Sequence, residues 1–243
     1  MNAAHPSLVA ILCGGRGTRL QEHTASIPKP LVEIGGRPIV WHVMQIYAAQ
    51  GVRRFLLLTG YKGELIKEFV RATDWPAEVE VGCRDTGAGT PTGGRLAAVA
   101  GELAGDTFCV TYADGVADVD LDALFAFHRE KGASATMTVV RPELQFGVAE
   151  IDDEARVSGF VEKPRSDHWV NGGFFCFEPE VLDRLDSGSV LERAPLAGLA
   201  ADGQLAAFRH EGFWDCMDTY KDAVLLGDLW ESGSAPWKVW ADA

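Results

Sequence analysis

The stretch Leu8-Val9-Ala10-Ile11-Leu12-Cys13-Gly14-Gly15-Arg16-Gly17-Thr18-Arg19 decides the reading of the fold. Its first six residues form a short, almost wholly apolar run, which suits a strand buried on both faces, as in a parallel sheet. The glycines that follow let backbone N–H groups approach an anion without interference from a Cβ, and the arginines add positive charge. Such a loop at the carboxyl end of a strand is a site for a phosphate-bearing ligand, with a triphosphate as the natural guest. Alone, a short glycine motif is weak evidence, and a solvated turn accounts for it about as well.

Outward from this loop the pattern alternates. Pro38 to Gln50 carries apolar residues at Ile39, Val43, Ile46 and Tyr47 between an early proline and Gly51, which predicts an amphipathic helix. Phe55 to Thr59 reads as a strand, Gly63 to Arg71 as a helix and Glu78 to Gly82 as a strand. After the turn-rich Thr86 to Gly94, a helix from about Arg95 to Leu103 leads to a strand at Thr107 to Tyr112 that ends at Asp114-Gly115. Leu121 to Lys131 predicts a helix, Ala135 to Val140 a strand, and Phe146 to Phe177 several short strands. Pro179 to Leu185, Leu191 to Ala201 and Tyr220 to Glu231 have helical spacing, while Leu205 to His210 alternates like an edge strand. The order predicts an α/β chain with no repeat or linker, read as one domain over residues 1–243.

Composition narrows the partners. The 35 acidic residues exceed the 22 basic ones, giving a net charge of −13, so long-range attraction to nucleic acid or to an anionic membrane is not expected. Any phosphate site must be local, built from a few placed cations, backbone N–H groups and a divalent metal. The five cysteines are widely spaced, with no zinc-ligand interval or disulfide pattern. No run approaches the roughly 20 apolar residues of a membrane span, and the first residues lack a basic region followed by an apolar one, so a cytoplasmic location is expected.

Three further features carry chemistry. Pro28-Lys29-Pro30 fixes a lysine between two prolines, which lowers the entropy cost of aiming its ammonium group. Asp114 stands just past a strand beside Gly115, where a carboxylate can hold a hard cation such as Mg²⁺ or serve as a turn residue. Asp218, before Thr219, is either a second metal ligand or the cap of the last helix.

GGRGTRL at residues 14–20 with PKPLVEIGGRPIVWH at residues 28–42 resembles the signature of sugar-1-phosphate nucleotidyltransferases. Within that family the likeness is to the glucose-1-phosphate cytidylyltransferases. It rests on TGGRL at Thr92 to Leu96, YADGVADVD at Tyr112 to Asp120, EKP at Glu162 to Pro164, NGGFF at Asn171 to Phe175, GFWDCMDT at Gly212 to Thr219 and APWKVW at Ala235 to Trp240. The resemblance implies a Rossmann-like, glycosyltransferase-A-like three-layer αβα sandwich on a mixed, mainly parallel sheet. It implies a nucleotide-binding half over about residues 7–120, a sugar-phosphate-binding half over about 121–230 and a tail at 231–243.

The resemblance also assigns residues. Arg19 and Lys29 become catalytic, and the nucleotide is met by Leu12, Cys13, Gly14, Gly15, Gly17, Thr18, Arg19, Lys29, Thr86, Thr90, Gly93, Gly94, Arg95, Ala113 and Asp114. The sugar phosphate is met by Tyr112, Gly147, Glu162, Lys163, Asn171, Gly172 and Trp214, and Mg²⁺ by Asp114 and Asp218. The implied substrates are CTP, or another nucleoside triphosphate, and a sugar 1-phosphate, in an enzyme with the family's homo-oligomeric habit. Another nucleotide or acceptor on the same scaffold remains an alternative, as does a non-catalytic nucleotide-sugar sensor. A Rossmann oxidoreductase is disfavoured, because G-G-x-G-T-R is not G-x-G-x-x-G.

Overall fold

In the computed structural model, which describes residues 6, 8–20 and 26–241 with the side chain of Arg19 excepted, β1 (Leu8–Leu12) lies inside a seven-stranded sheet. A 3₁₀ turn at Lys29–Leu31 precedes a small hairpin, β2 (Glu33–Ile34) and β3 (Arg37–Pro38), and then α1 (Ile39–Ala49). The chain continues through β4 (Arg54–Thr59), α2 (Gly63–Ala72), β5 (Glu80–Asp85), α3 (Thr92–Ala98), α4 (Ala100–Leu103), β6 (Phe108–Tyr112) and β7 (Gly115–Ala117). Then follow α5 (Leu121–Lys131), β8 (Ala135–Val140), the ribbon β9 (Val148–Ile151) with β10 (Val157–Val161), and β11 (Val170–Phe177). A 3₁₀ segment, Pro179–Arg184, leads to α6 (Ala194–Ala201), β12 (Leu205–Arg209), β13 (Trp214–Cys216) and α7 (Tyr220–Glu231).

The sheet order is β12-β8-β11-β6-β1-β4-β5. β1 is parallel to both β4 and β6, β4 to β5, and β12 to β8, while β11 runs antiparallel between β6 and β8. The sheet is thus mixed and mainly parallel, and Leu205–Arg209 is the edge strand that its alternation predicts. Along β1, Val9 and Ile11 join a core with Val40 and Val43 of α1 and Phe125 of α5, whereas Leu8 and Ala10 join a second core with Leu96 of α3 and Leu199 of α6. Alternate side chains of one strand therefore feed two cores, which makes the architecture three layers.

Several boundaries depart from the sequence pattern for identifiable reasons. β5 extends to Asp85 because its pairing with β4 runs unbroken from Arg54↔Glu80 to Thr59↔Asp85. The helix expected over Arg95 to Leu103 begins at Thr92, after Pro91, and is interrupted at Val99, whose φ of −119° and ψ of 18° leave the helical region. Gly93 and Gly94 enter its first turn because a side chain at either would press on Ser189 or Ser187 of a neighbouring loop. Pro179–Arg184 winds as 3₁₀ rather than α.

The aromatic tail packs on its own chain. Trp237 is wholly buried, and with Trp230 and Trp240 it surrounds His42 of α1. Trp237 Nε1 donates to His42 Nδ1 at 3.4 Å, and His42 Nε2 donates to the Ile34 carbonyl at 2.9 Å, so this imidazole is satisfied in its neutral form. Among the described residues, no helix is long and apolar enough to cross a membrane.

Candidate active site

β1 connects onward to its neighbour β4 on one side, while its other neighbour β6 connects onward to β8 on the opposite side, so the chain leaves the carboxyl ends of β1 and β6 in opposite directions. Open α/β sheets bind ligands in the crevice this creates. A cleft of about 250 Å³ lies there. Cys13, Gly14, Gly15 and Gly17 line it from the end of β1, Tyr112, Ala113 and Asp114 from the end of β6, and Thr90 to Thr92 with Arg95 from the segment entering α3. Leu12, Lys29 and Pro30 complete this wall. A larger groove of about 610 Å³ beside α7, lined by residues such as Leu31, Phe69 and Val224, is mainly apolar and lacks this convergence of polar groups.

Lys29 is held by the Lys29–Leu31 turn, whose proline-flanked backbone directs the side chain inward. Its Nζ lies 2.5 Å from Asp114 Oδ2 and 2.6 Å from Asp218 Oδ1. Asp218 reaches this point because β13 pairs antiparallel with β7, setting Cys216 opposite Gly115, and Met217 N donates to the Asp114 carbonyl at 2.9 Å. The capping alternative for Asp218 does not hold. Thr219 is the N-cap of α7, in a capping box with Asp222, and Asp218 stays outside the helix with its side chain toward Lys29.

Burial alone would lower the Lys29 pKa, but Asp114 and then Asp218 outweigh it and raise the pKa above its ordinary value. The same concentration of negative charge acts on Cys216, whose thiol is pushed up to about 12, first by burial and then by Asp218 and Asp114. Asp114 and Asp218 therefore form a strongly anionic pair of hard oxygen donors around one cation. That donor set fits a divalent metal that takes its remaining ligands from substrate phosphates and water.

The glycine loop is tied down from below. The Arg95 guanidinium, 3% exposed, donates to the carbonyls of Gly14 at 2.9 Å, Thr59 at 2.9 Å and Gly87 at 3.0 Å, and to Thr86 Oγ1 at 2.6 Å. Thr90 Oγ1 donates to the Thr86 carbonyl, closing the loop beside it. A Cβ at Gly14 would run into this guanidinium, whereas at Gly15 it would meet open space. Gly14 is thus glycine for packing, and Gly15 is free to face a ligand. Thr18 opens a 3₁₀ turn that follows Gly17 at φ 60°, and the Arg19 side chain lies outside the described residues.

The sugar-phosphate residues fall into two groups. A register shift in β11 between Asn171 and Phe175 turns Asn171 toward β6, and its Nδ2 donates to Tyr112 Oη at 3.0 Å. Trp214 Nε1 donates to the Gly172 carbonyl at 2.8 Å, so Tyr112, Asn171, Gly172 and Trp214 are one connected set. Glu162 and Lys163 follow the β9–β10 ribbon and are exposed, and a Cβ at Gly147 would meet Phe160 and Glu162, so Gly147 allows these segments to close together. Lys163 adopts φ 47°, an unfavourable conformation for a residue with a Cβ.

One residue of this network escapes sequence reasoning. Glu192 accepts from Tyr112 Oη at 2.7 Å and from Thr92 Oγ1 at 2.6 Å. It lies in the charged stretch Leu191-Glu192-Arg193 with no motif to mark it, and only the tertiary fold brings it to residues 80 and 100 positions away.

A profile described as nucleotidyl transferase matches residues 8–212, the span that contains the cleft. The chain is 42% identical to a probable glucose-1-phosphate cytidylyltransferase of Bacillus subtilis, with 95% of this chain and 98% of that one covered. It is 43% identical to the glucose-1-phosphate cytidylyltransferase of Salmonella typhi over the same shares. The crystal structure of HddC from Yersinia pseudotuberculosis shares the fold, with a TM-score of 0.72, 22% identity and coverage of 92% of this chain and 99% of that one. With the fold, the crevice and the matched span in agreement, the chain belongs to the nucleotidyl transferase family.

Proposed function

We propose that the protein is a sugar-1-phosphate nucleotidyltransferase that joins CTP to glucose 1-phosphate, releasing pyrophosphate. The observation that carries this reading is the Lys29 ammonium set between Asp114 and Asp218 at the mouth of a glycine-lined crevice. The choice of CTP and glucose 1-phosphate rests on the 42–43% identity to the relatives that carry those substrates in their names.

An oxygen of the sugar phosphate attacks the α-phosphorus of the nucleotide, a P–O bond forms on one face, and the bond to the pyrophosphate oxygen breaks on the other. No covalent bond to the protein is needed. Both reactants are anions, so the protein's task is to position them and to balance charge. The glycine loop, Gly14 to Gly17, meets the leaving phosphates with backbone N–H groups. Lys29, protonated throughout the working range, supplies the fixed positive charge at the α-phosphate, and Lys163 holds the attacking phosphate. Asn171 and Glu162 orient the sugar hydroxyls. Asp114 and Asp218 would hold Mg²⁺, which supplies charge neutralisation at the phosphates when bound.

We place the enzyme in the cytoplasm, in keeping with its five free thiols, and as a homo-oligomer. The β9–β10 ribbon favours association of copies. A two-stranded ribbon is marginal in water, yet this one exposes Ile151 and Phe160 at 69% and 64%, and Phe146 just before it is 81% exposed. Sedimentation velocity should show a species larger than 26.3 kDa, and a monomer at micromolar concentration would oppose this assignment.

The test of the function is a panel of CTP, dTTP, UTP and GTP against several sugar 1-phosphates with Mg²⁺, read as pyrophosphate release. CTP with glucose 1-phosphate should give the highest kcat/KM. Asp218→Asn should lower kcat by about 10²–10³ with an unchanged melting profile, as loss of one fixed charge contact in a preorganised site does. Near-normal turnover of that variant would remove Asp218 from the metal site.

A further inference from the structure

The hydrogen bonds around Tyr112 have a direction that selects what the cleft can bind. Asn171 Nδ2 can only donate, so Tyr112 Oη accepts from it at 3.0 Å. Glu192, as a carboxylate, can only accept, so the Tyr112 hydroxyl hydrogen points to Glu192 Oε1 at 2.7 Å. The other carboxylate oxygen is held by Thr92 Oγ1 at 2.6 Å, and Thr92 Oγ1 in turn accepts from Leu191 N at 2.9 Å. Asn171 is itself fixed, because its Oδ1 accepts from Gly173 N at 2.9 Å. Tyr112 and Thr92 both line the cleft.

We infer that Glu192 is a specificity-determining positioning residue. By taking the Tyr112 hydrogen away from the cleft it leaves one Tyr112 oxygen lone pair facing the ligand, so Tyr112 selects a ligand hydroxyl that donates. The carboxylate is itself fixed by Thr92, whose hydroxyl holds its second oxygen, so the acceptor that Tyr112 meets has one position. Burial and then Glu192 push the Tyr112 pKa above the ordinary tyrosine range, so the phenol keeps the hydrogen it donates.

The selected hydroxyl belongs either to the sugar phosphate or to the ribose of the nucleotide, and deoxy analogues of each separate the two. The inference rests on the proposed transferase activity, and turnover by the unmodified enzyme is the control for that reading. Three variants test it: Glu192→Met, which keeps length but removes the acceptor; Glu192→Gln, which keeps one carbonyl; and Tyr112→Phe. Glu192 is exposed, so thermal melts of its variants should match the parent.

The expected result is a rise of about three- to tenfold in KM for one substrate in Glu192→Met, with kcat and the other KM changed less than twofold, as for loss of one neutral hydrogen bond. Glu192→Gln should recover part of that loss. The deoxy analogue lacking the selected hydroxyl should be handled equally by parent, Glu192→Met and Tyr112→Phe. Unmodified enzyme that turns over normally while Glu192→Met does the same would overturn the inference and leave the function standing. Equal losses on every analogue would also overturn it, because a merely structural role would spread the damage evenly.

Discussion

Replacing Arg95 by methionine tests how the phosphate loop is held. The side chain keeps its length and apolar stem, but four acceptors each lose one donor: the carbonyls of Gly14, Thr59 and Gly87 and the hydroxyl of Thr86. None of the three carbonyls is orphaned, because Gly14 O keeps Tyr61 N, Thr59 O keeps Thr86 N and Thr86 Oγ1, and Gly87 O keeps Thr90 N, so each lost bond costs about 1 kcal/mol, the net worth of one hydrogen bond. We expect a total near 4 kcal/mol, which for a chain of this size lowers Tm by about 8–16 °C. Differential scanning calorimetry and urea unfolding measure this directly, with urea m-values unchanged. KM for the nucleotide should rise as well, because the Gly14 carbonyl is no longer tied to the loop at Thr86 and Gly87. Arg95→Lys should recover only part of either loss, since an ammonium cannot reproduce the planar fork. A Tm within 3 °C of the parent would refute the bracing role and return Arg95 to the ligand.

Three further outcomes follow from the same geometry. His42 is buried and its pKa is lowered to about 4, mainly by that burial, against 6.5 when free. The neutral form is the one the fold accepts, so its contribution to stability is complete above pH 6.5 and is lost as pH falls toward 4, by about 3 kcal/mol in all. Urea unfolding between pH 7 and 4.5 should show this slope, and His42→Gln should flatten it; an unchanged slope would contradict the assignment. Trp237→Ala should cost about 3–5 kcal/mol because the indole is wholly buried, and a loss below 1 kcal/mol would mean the tail is not part of the core. Gly14→Ala should mimic Arg95→Met in part, since the added methyl group occupies the guanidinium's place, whereas Gly15→Ala should leave stability unchanged and act only on nucleotide KM.

Local sequence carried the features that depend on local physics. The apolar run Leu8 to Leu12, the helix between Pro38 and Gly51 and the alternating edge strand at Leu205 each follow from side-chain period and from proline or glycine at the ends. What stayed hidden was non-local. The antiparallel insertion of β11 between β6 and β8 depends on pairings far apart in the chain, and the register shift that turns Asn171 toward Tyr112 has no composition of its own beyond Gly172-Gly173. In the site, Lys29 and Asp114 stood out because prolines and a strand end frame them, and Asp218 stood out through the family resemblance. That Thr219 rather than Asp218 caps α7 needed coordinates, since both residue types cap well. Arg95 entered as a nucleotide-binding residue through the resemblance, and it does line the cleft; its four internal acceptors are carbonyls and a hydroxyl that no sequence pattern announces. Glu192 was invisible for the same reason.

The most direct test of the account follows the phosphorus atoms. A ³¹P NMR time course of the purified protein with CTP, glucose 1-phosphate and Mg²⁺ resolves every phosphate in the mixture. The account predicts that CTP and glucose 1-phosphate disappear together, that pyrophosphate and CDP-glucose appear in equal amounts, and that Lys29→Met slows this by at least about 10². Release of orthophosphate in place of pyrophosphate, or a Lys29→Met variant as fast as the parent, would contradict it.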